Sequence, residues 1–175
     1  MTETLDLPID PAVYSAFIQQ MDIVALWLVE AHTVNQHGAT TPEQVYLNIG
    51  SSARWEKAGE GFRIFHNYKV EIRREPTTEA PLFGSIDVTF GMQCTSQQQL
   101  TEDIFAIYRD TNLTLNTWPF LRSYLHDALG RMNWVPFTLP AMKVGVSVRG
   151  ATNEQKAEQP RRKRGSTKSS KTAIT

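Results

Sequence analysis

The stretch Pro119–Pro140, PFLRSYLHDALGRMNWVPFTLP, has two halves that need different backbone conformations. In the first half, apolar residues recur at the spacing of an amphipathic helix, at Leu121, Tyr124, Leu125, Ala128, Leu129 and Met132. In the second half, Pro136 and Pro140 forbid a continued helix. This half is nevertheless strongly apolar, at Trp134, Val135, Phe137 and Leu139. We therefore expect a long helix, followed by an extended segment that a core, a partner subunit or a ligand must cover.

The middle of the chain alternates apolar and polar residues, which is the pattern of strands with one buried face. The clearest runs are Phe62–Ile72 and Leu82–Cys94. An earlier run, Ile23–Val34, is rich in β-branched residues and is apolar on both faces at its start. A short strand over Val45–Ile49 is expected to end at the turn-forming sequence Gly50-Ser-Ser.

Three helices are predicted around these strands, each with a polar capping residue at its start. Such a side chain accepts a hydrogen bond from a free N–H group of the first turn. The predicted starts are Asp10-Pro11 for a helix over 11–20, Thr101 for a helix over 102–110, and Asn116 or Thr117 for the main helix. Strands followed by helices, without βαβ alternation, indicate an α+β fold with an antiparallel sheet and helices on one face.

The composition is that of a soluble protein with one domain. The chain has 175 residues, of which 41% are hydrophobic, enough for a substantial core. No run approaches the roughly 18 apolar residues of a membrane span, and the acidic N-terminus lacks the pattern of a secretory signal. The single cysteine, Cys94, fits a reducing compartment. We expect a cytoplasmic protein that does not enter a membrane.

The net charge of zero conceals an uneven distribution along the chain. Residues 151–175 contain seven basic and two acidic side chains, so the first 150 residues carry a net charge of −5. The region after Gly150 lacks the apolar residues needed to offset the entropy cost of ordering. We predict a folded domain over 1–150 and a disordered basic tail over 151–175.

The sequence offers no constellation of catalytic residues. Motifs for phosphate binding, dinucleotide binding, zinc proteases and serine hydrolases are absent. The histidines His32, His37, His66 and His126 lack the spacing of metal ligands. Cys94 alternates onto the face of Phe90, so it is expected to be a buried core thiol and not a nucleophile. We therefore predict no enzymatic activity, no cofactor and no metal site.

One part of the chain resembles a known family. Trp118-Pro-Phe-Leu-Arg, the helix it starts, and the following Pro136–Leu139 loop are similar to the C-terminal region of the SecB export chaperones. Pro42-Glu43 and the alternating Val45, Leu47 and Ile49 resemble the crossover segment of that family. The resemblance covers about residues 20–145. It implies a four-stranded antiparallel sheet with a long amphipathic C-terminal helix.

The resemblance also implies a function and an assembly. SecB-like proteins are ATP-independent holdases for unfolded polypeptides, and they form homotetramers built as dimers of dimers. An equivalent interface here would use one face of the main helix, at Leu121, Tyr124, Leu125, Ala128 and Leu129. The basic tail departs from the acidic export chaperones and weakens the expectation that the SecA translocase motor is a partner. The chain looks closer to SecB-like chaperones of toxin–antitoxin systems, which hold an aggregation-prone antitoxin.

We expect an unfolded preprotein or an antitoxin to bind in an extended form beside the short strand and the proline-rich loop. Backbone hydrogen bonds would make such binding tolerant of sequence. The predicted contact residues are Val45, Tyr46, Leu47, Ile49, Trp134, Phe137 and Leu139. Two alternatives stay open: nonspecific nucleic-acid binding through Arg161-Arg-Lys-Arg, and a carrier or enzyme that holds a small molecule or lipid in an α+β cavity.

Overall fold

The computed structural model describes residues 9–142. Helix α1 (Pro11–Gln20) precedes four long strands, and a helical region follows them. The strands are β1 (Met21–Asn35), β2 (Tyr46–Ala58), β3 (Gly61–Arg73) and β4 (Leu82–Ser96). The helical region consists of α2 (Glu102–Tyr108), a π-helical turn (Arg109–Leu113) and α3 (Thr114–Arg131). The predicted boundary of the basic tail lies outside the described residues.

The strands form one antiparallel sheet in the order β1-β4-β3-β2, so β1 and β2 are its two edges. The sheet confirms the four antiparallel strands that the family resemblance implied. A tight turn joins β2 to β3, in which Gly59 has a φ of +61°, a conformation that glycine adopts at little cost. Strand β1 bulges twice against β4, at Val24 and at Val29.

The helices cover one face of this sheet, which we call the inner face. Over β3 and β4, α3 inserts Leu121, Leu125 and Leu129, which are fully buried against residues such as Tyr68 and Val88. Towards the far end of the strands, a second cluster joins α1 and α2 to the sheet around Phe17, Phe62, Ile64, Met92, Cys94 and Phe105. The opposite face, which we call the outer face, carries no helix among residues 9–142.

Two sequence-based boundaries were wrong. Strand β2 does not end at Gly50-Ser-Ser but continues to Ala58, because β3 pairs with it along its whole length, as far as Ala58 opposite Gly61. Thr117 does not cap the main helix but lies inside it, and its hydroxyl donates to the Leu113 carbonyl at 3.0 Å. The helix already runs through the π-helical turn and Thr114, with Pro119 in its interior.

The described part of the chain contains no helix that is long and apolar enough to span a membrane.

Candidate functional site

The extended segment that follows α3, residues Trp134–Pro140, folds back along that helix. Trp134 Nε1 donates to the Gly38 carbonyl at 2.8 Å, which holds the start of the segment against the loop between β1 and β2. Its end is held by two side chains of α3. Arg122 Nε donates to the Leu139 carbonyl at 2.7 Å, and Trp118 Nε1 donates to the Pro140 carbonyl at 2.9 Å. The segment is therefore fixed at both ends although it has no regular secondary structure.

The structure brings six of the seven predicted peptide-binding residues into one apolar cluster. Trp134 and Leu139 are 4% and 5% exposed, so they belong to the core. Phe137 is half-buried and packs against that core together with the half-buried Val45, Leu47 and Ile49. These four form an accessible apolar rim around a buried floor. We call Val45, Leu47, Ile49 and Phe137 the β2 rim.

Tyr46 is the residue that the structure separates from this cluster. Side chains alternate along a strand, so Tyr46 points to the outer face while Leu47 points to the inner face. Its hydroxyl accepts a hydrogen bond from Gln44 Nε2 at 2.9 Å. Tyr46 therefore lies on the opposite face of the sheet from Leu47 and Ile49.

The residues that we assigned to an oligomer interface already have partners within the chain. Leu121, Leu125, Ala128 and Leu129 are buried under the inner face. Tyr124 is half-buried, and its hydroxyl lies 3.3 Å from that of Thr33 on β1. The apolar stripe of α3 that motivated the prediction is therefore covered by the sheet of the same chain, and it offers little surface to a second copy.

Exposed apolar surface lies on the edge strand β1 instead. Its exposed large apolar residues, with their exposed fractions, are Ile23 (41%), Val24 (64%), Trp27 (37%), Leu28 (48%) and Val29 (43%). We did not assign these residues to a site from the sequence. The signal was present in the sequence, because this strand is apolar on both faces at its start, and a strand buried on one face only would not need that pattern.

The exposed residues of β1 continue onto the outer face. Gly91 on β4 lies beneath the Trp27 indole, and a Cβ atom added to Gly91 would lie 2.6 Å from two ring atoms. Farther across this face, the Arg54 guanidinium lies 4.0 Å from the centre of the Phe65 ring, a cation–π contact. Glycine at position 91 therefore allows the indole to lie flat across the sheet.

The buried polar groups of the inner face are hydrogen-bonded to one another. Thr117 Oγ1 lies 2.8 Å from His66 Nδ1 and 2.8 Å from the Tyr68 hydroxyl. Burial lowers the pKa of His66 to about 4 and, despite hydrogen bonding to Thr117, raises the pKa of Tyr68 to about 12. Burial likewise raises the pKa of the Cys94 thiol to about 12, so the reactive thiolate is scarce near neutral pH.

The described residues contain no cluster of three or more groups that could hold a metal ion. A shallow depression of about 360 Å³ lies between the exposed face of α3 and the extended segment, lined by Pro119, Arg122, Ser123, His126 and Thr138. Within this depression, His126 Nδ1 lies 3.4 Å from Thr138 Oγ1. Among residues 9–142, no carboxylate is hydrogen-bonded to His126.

Comparison with known proteins supports the fold. Neither a protein family model nor a curated protein sequence matches the chain. A solved structure that matches is a SecB-like chaperone of Mycobacterium tuberculosis in complex with a ChAD peptide from the HigA1 antitoxin. The TM-score is 0.64 at 17% sequence identity, and the match covers 75% of this chain and 97% of that one. The chain therefore has a SecB-like fold, as the resemblance of its helix and loop implied.

Proposed function

We propose that the protein is an ATP-independent holdase, a chaperone that binds unfolded polypeptide and prevents its aggregation. The observation that carries this proposal is the apolar surface that a SecB-like fold leaves accessible here, along β1 and at the β2 rim. Exposed apolar patches of this kind mark sites of interaction with other polypeptides. Binding alone is sufficient for this function, so no catalytic group is required.

The β2 rim is the proposed site for the client polypeptide. A client segment in extended form would lie along this edge of the sheet and place its apolar side chains against Val45, Leu47, Ile49 and Phe137. Each Å² of apolar area removed from water contributes about 25 cal/mol. Trp134 and Leu139 contribute indirectly, because they form the buried floor that holds the rim in place.

The second apolar surface, on β1, is proposed to hold copies of the chain together. An edge strand of 15 residues with several exposed apolar side chains is an unfavourable surface for a monomer in water. Pairing of two β1 edges would bury these residues and continue the sheet across the dimer. Two such dimers would complete the homotetramer, with the β1 edge replacing the α3 stripe as the interface within each dimer.

For the natural client, we propose an aggregation-prone antitoxin. The support is that the Mycobacterium tuberculosis chaperone of the same fold was solved with an antitoxin peptide. An unfolded preprotein destined for export is the second candidate. The SecA translocase motor is a weaker candidate partner, since the basic residues 151–175 differ from the acidic export chaperones.

The test measures whether the protein suppresses aggregation of a chemically unfolded model protein. Aggregation is monitored by light scattering, without ATP. The mass of the oligomer is measured on the same sample. We expect suppression to be complete near one tetramer per client molecule. A folded oligomer that suppresses aggregation neither of the model protein nor of an antitoxin would overturn the proposal.

A further inference from the structure

The end of α3 has a backbone geometry that favours glycine, but an asparagine occupies the position. The Asn133 amide donates to the Gly130 carbonyl at 3.0 Å, and the Trp134 amide donates to the Leu129 carbonyl at 3.0 Å. This pair of bonds is the Schellman motif, in which the residue just past the helix adopts a left-handed conformation. Asn133 has a φ of +61° and is the only residue other than glycine with a positive φ among residues 9–142. Glycine adopts this conformation at lower cost, so the helix end alone does not account for an asparagine here.

The side chain of Asn133 has its partner outside the helix, in the loop between β1 and β2. Asn133 Nδ2 donates to the Ala39 carbonyl of this loop at 3.0 Å. Two residues farther along, the Val135 amide donates to the Thr41 hydroxyl at 2.8 Å. Both bonds join residues that are 94 positions apart in the chain. The β1–β2 loop and the extended segment after α3 therefore run side by side in the same direction.

The start of the β1–β2 loop is fixed by a different residue. Asn35 Oδ1 accepts hydrogen bonds from the amides of His37 and Gly38, both at 3.0 Å, and Asn35 Nδ2 donates to the Gly38 carbonyl at 2.8 Å. The middle of the loop, residues 39–43, has no further hydrogen bond within the described part of the chain besides those to Asn133 and Val135. These two bonds are therefore what holds the middle of the loop to the extended segment.

Both segments lead from these contacts directly to the β2 rim. The loop continues from Thr41 to Val45, and the extended segment continues from Val135 to Phe137. Val45 and Phe137 are half-buried and pack against the same core cluster. The separation of these two sides of the rim therefore depends on how firmly the loop is attached to the segment.

We propose that Asn133 is a positioning residue of the client site, whose side chain holds the β1–β2 loop in place and so sets the width of the β2 rim. Asparagine meets both requirements of the position, because it tolerates the left-handed conformation and its amide group can donate to a carbonyl. The statement about the client rests on the proposed holdase function, whereas the attachment of the loop does not.

The first part of the experiment uses Asn133→Gly in the full chain, without client. Glycine suits the left-handed helix end and removes only the side-chain bond to Ala39, so the variant should unfold at close to the urea concentration of the parent. We expect the Val135 amide to exchange with solvent about fivefold faster, because the loop that supplies its acceptor is held less firmly. The backbone amide of Trp134, which belongs to the helix end, and the amides of β3 should exchange as in the parent.

The second part measures the affinity for a fluorescently labelled, chemically unfolded model protein. Thr41→Val removes the hydroxyl that Val135 bonds to but keeps the shape of the side chain, whereas Thr41→Ser keeps the hydroxyl. We expect Asn133→Gly and Thr41→Val each to bind this protein about fivefold more weakly than the parent, and Thr41→Ser to restore binding.

Each part has an outcome that contradicts the inference. Unchanged exchange at Val135 in Asn133→Gly would overturn the attachment of the loop by Asn133. Faster exchange at Val135 with the affinity of the parent for the unfolded protein would overturn the positioning role. Faster exchange of the Trp134 backbone amide together with lower stability would also overturn it, since Asn133 would then support only the helix end. If exchange responds as expected but the parent itself does not bind the unfolded protein, the attachment stands and the holdase proposal fails, so the two failures are distinguishable.

Discussion

At the scale of single residues, His66 links the stability of the fold to pH. Its ring is buried and bonded to Thr117, and burial lowers its pKa to about 4, from an ordinary value near 6.5. The unfolded chain therefore binds a proton between these values that the folded chain does not. The free energy of unfolding is therefore highest above pH 6.5. It decreases as the pH falls towards 4, by about 3 kcal/mol if His66 acts alone.

The prediction is tested by urea unfolding of the parent and of His66→Asn between about pH 7 and pH 4.5. Asparagine retains a polar atom near the position of Nδ1 and does not titrate, so the variant should lose much less stability on acidification. His126→Gln is the matched control at an exposed histidine and should behave as the parent does. Parallel curves for the parent and His66→Asn would show that His66 does not cause the pH dependence.

Phe137 and Leu139 lie two residues apart on the same segment but should respond differently to substitution. Leu139 is in the core, so Leu139→Ser should cost about 3 kcal/mol of unfolding free energy or more. Phe137 is half-buried on the β2 rim, and Phe137→Ser should cost about 1–2 kcal/mol but abolish most client protection.

Aggregation suppression and urea unfolding are measured together for these variants. Val135→Ser is the control on the same segment, because Val135 is 70% exposed and should be neutral in both measurements. Normal client protection by a folded Phe137→Ser protein would remove Phe137 from the site. It would leave the strand residues of the β2 rim to be tested in the same way.

At the scale of helices and strands, alternation of apolar residues was sufficient to predict the two central strands. The patterns of Phe62–Ile72 and Leu82–Cys94 correspond to β3 and β4, because one face of each strand is buried under helices. The ends of elements were less predictable. Thr117 lies two residues before Pro119, which suits a cap with proline in the first turn. Its hydroxyl is instead used inside the helix for contacts with His66 and Tyr68, which are distant in sequence.

The candidate site could be predicted only in part, for a physical reason. Residues of β2 and of the segment after α3 were recognised as apolar where a core was not obvious, and the structure joins all of them except Tyr46. The sequence could not tell the buried floor, Trp134 and Leu139, from the accessible Phe137. An apolar residue has the same signature whether the same chain, a second copy or a client covers it.

At the scale of the whole molecule, the same ambiguity affected the oligomer interface. The stripe of α3 at Leu121, Leu125 and Leu129 is covered by the sheet, whereas β1 remains uncovered. A single chain with the apolar residues of β1 exposed should associate in water, because burying them contributes about 25 cal/mol per Å². The assembly should therefore depend on the edge of β1 and not on the buried stripe of α3.

Lysines placed on β1 should dissociate the oligomer without unfolding the chain. Val24 and Leu28 are 64% and 48% exposed, so Val24→Lys with Leu28→Lys should cost the isolated chain little. Charged side chains on an edge strand oppose pairing with a second edge. We expect the mass in solution, measured by light scattering during chromatography, to fall below that of a tetramer, because the interface within each dimer is lost. Val135→Lys makes the same change at an exposed valine outside β1 and should keep the parent mass. An unchanged mass for the double lysine variant would exclude the edge of β1 as the interface.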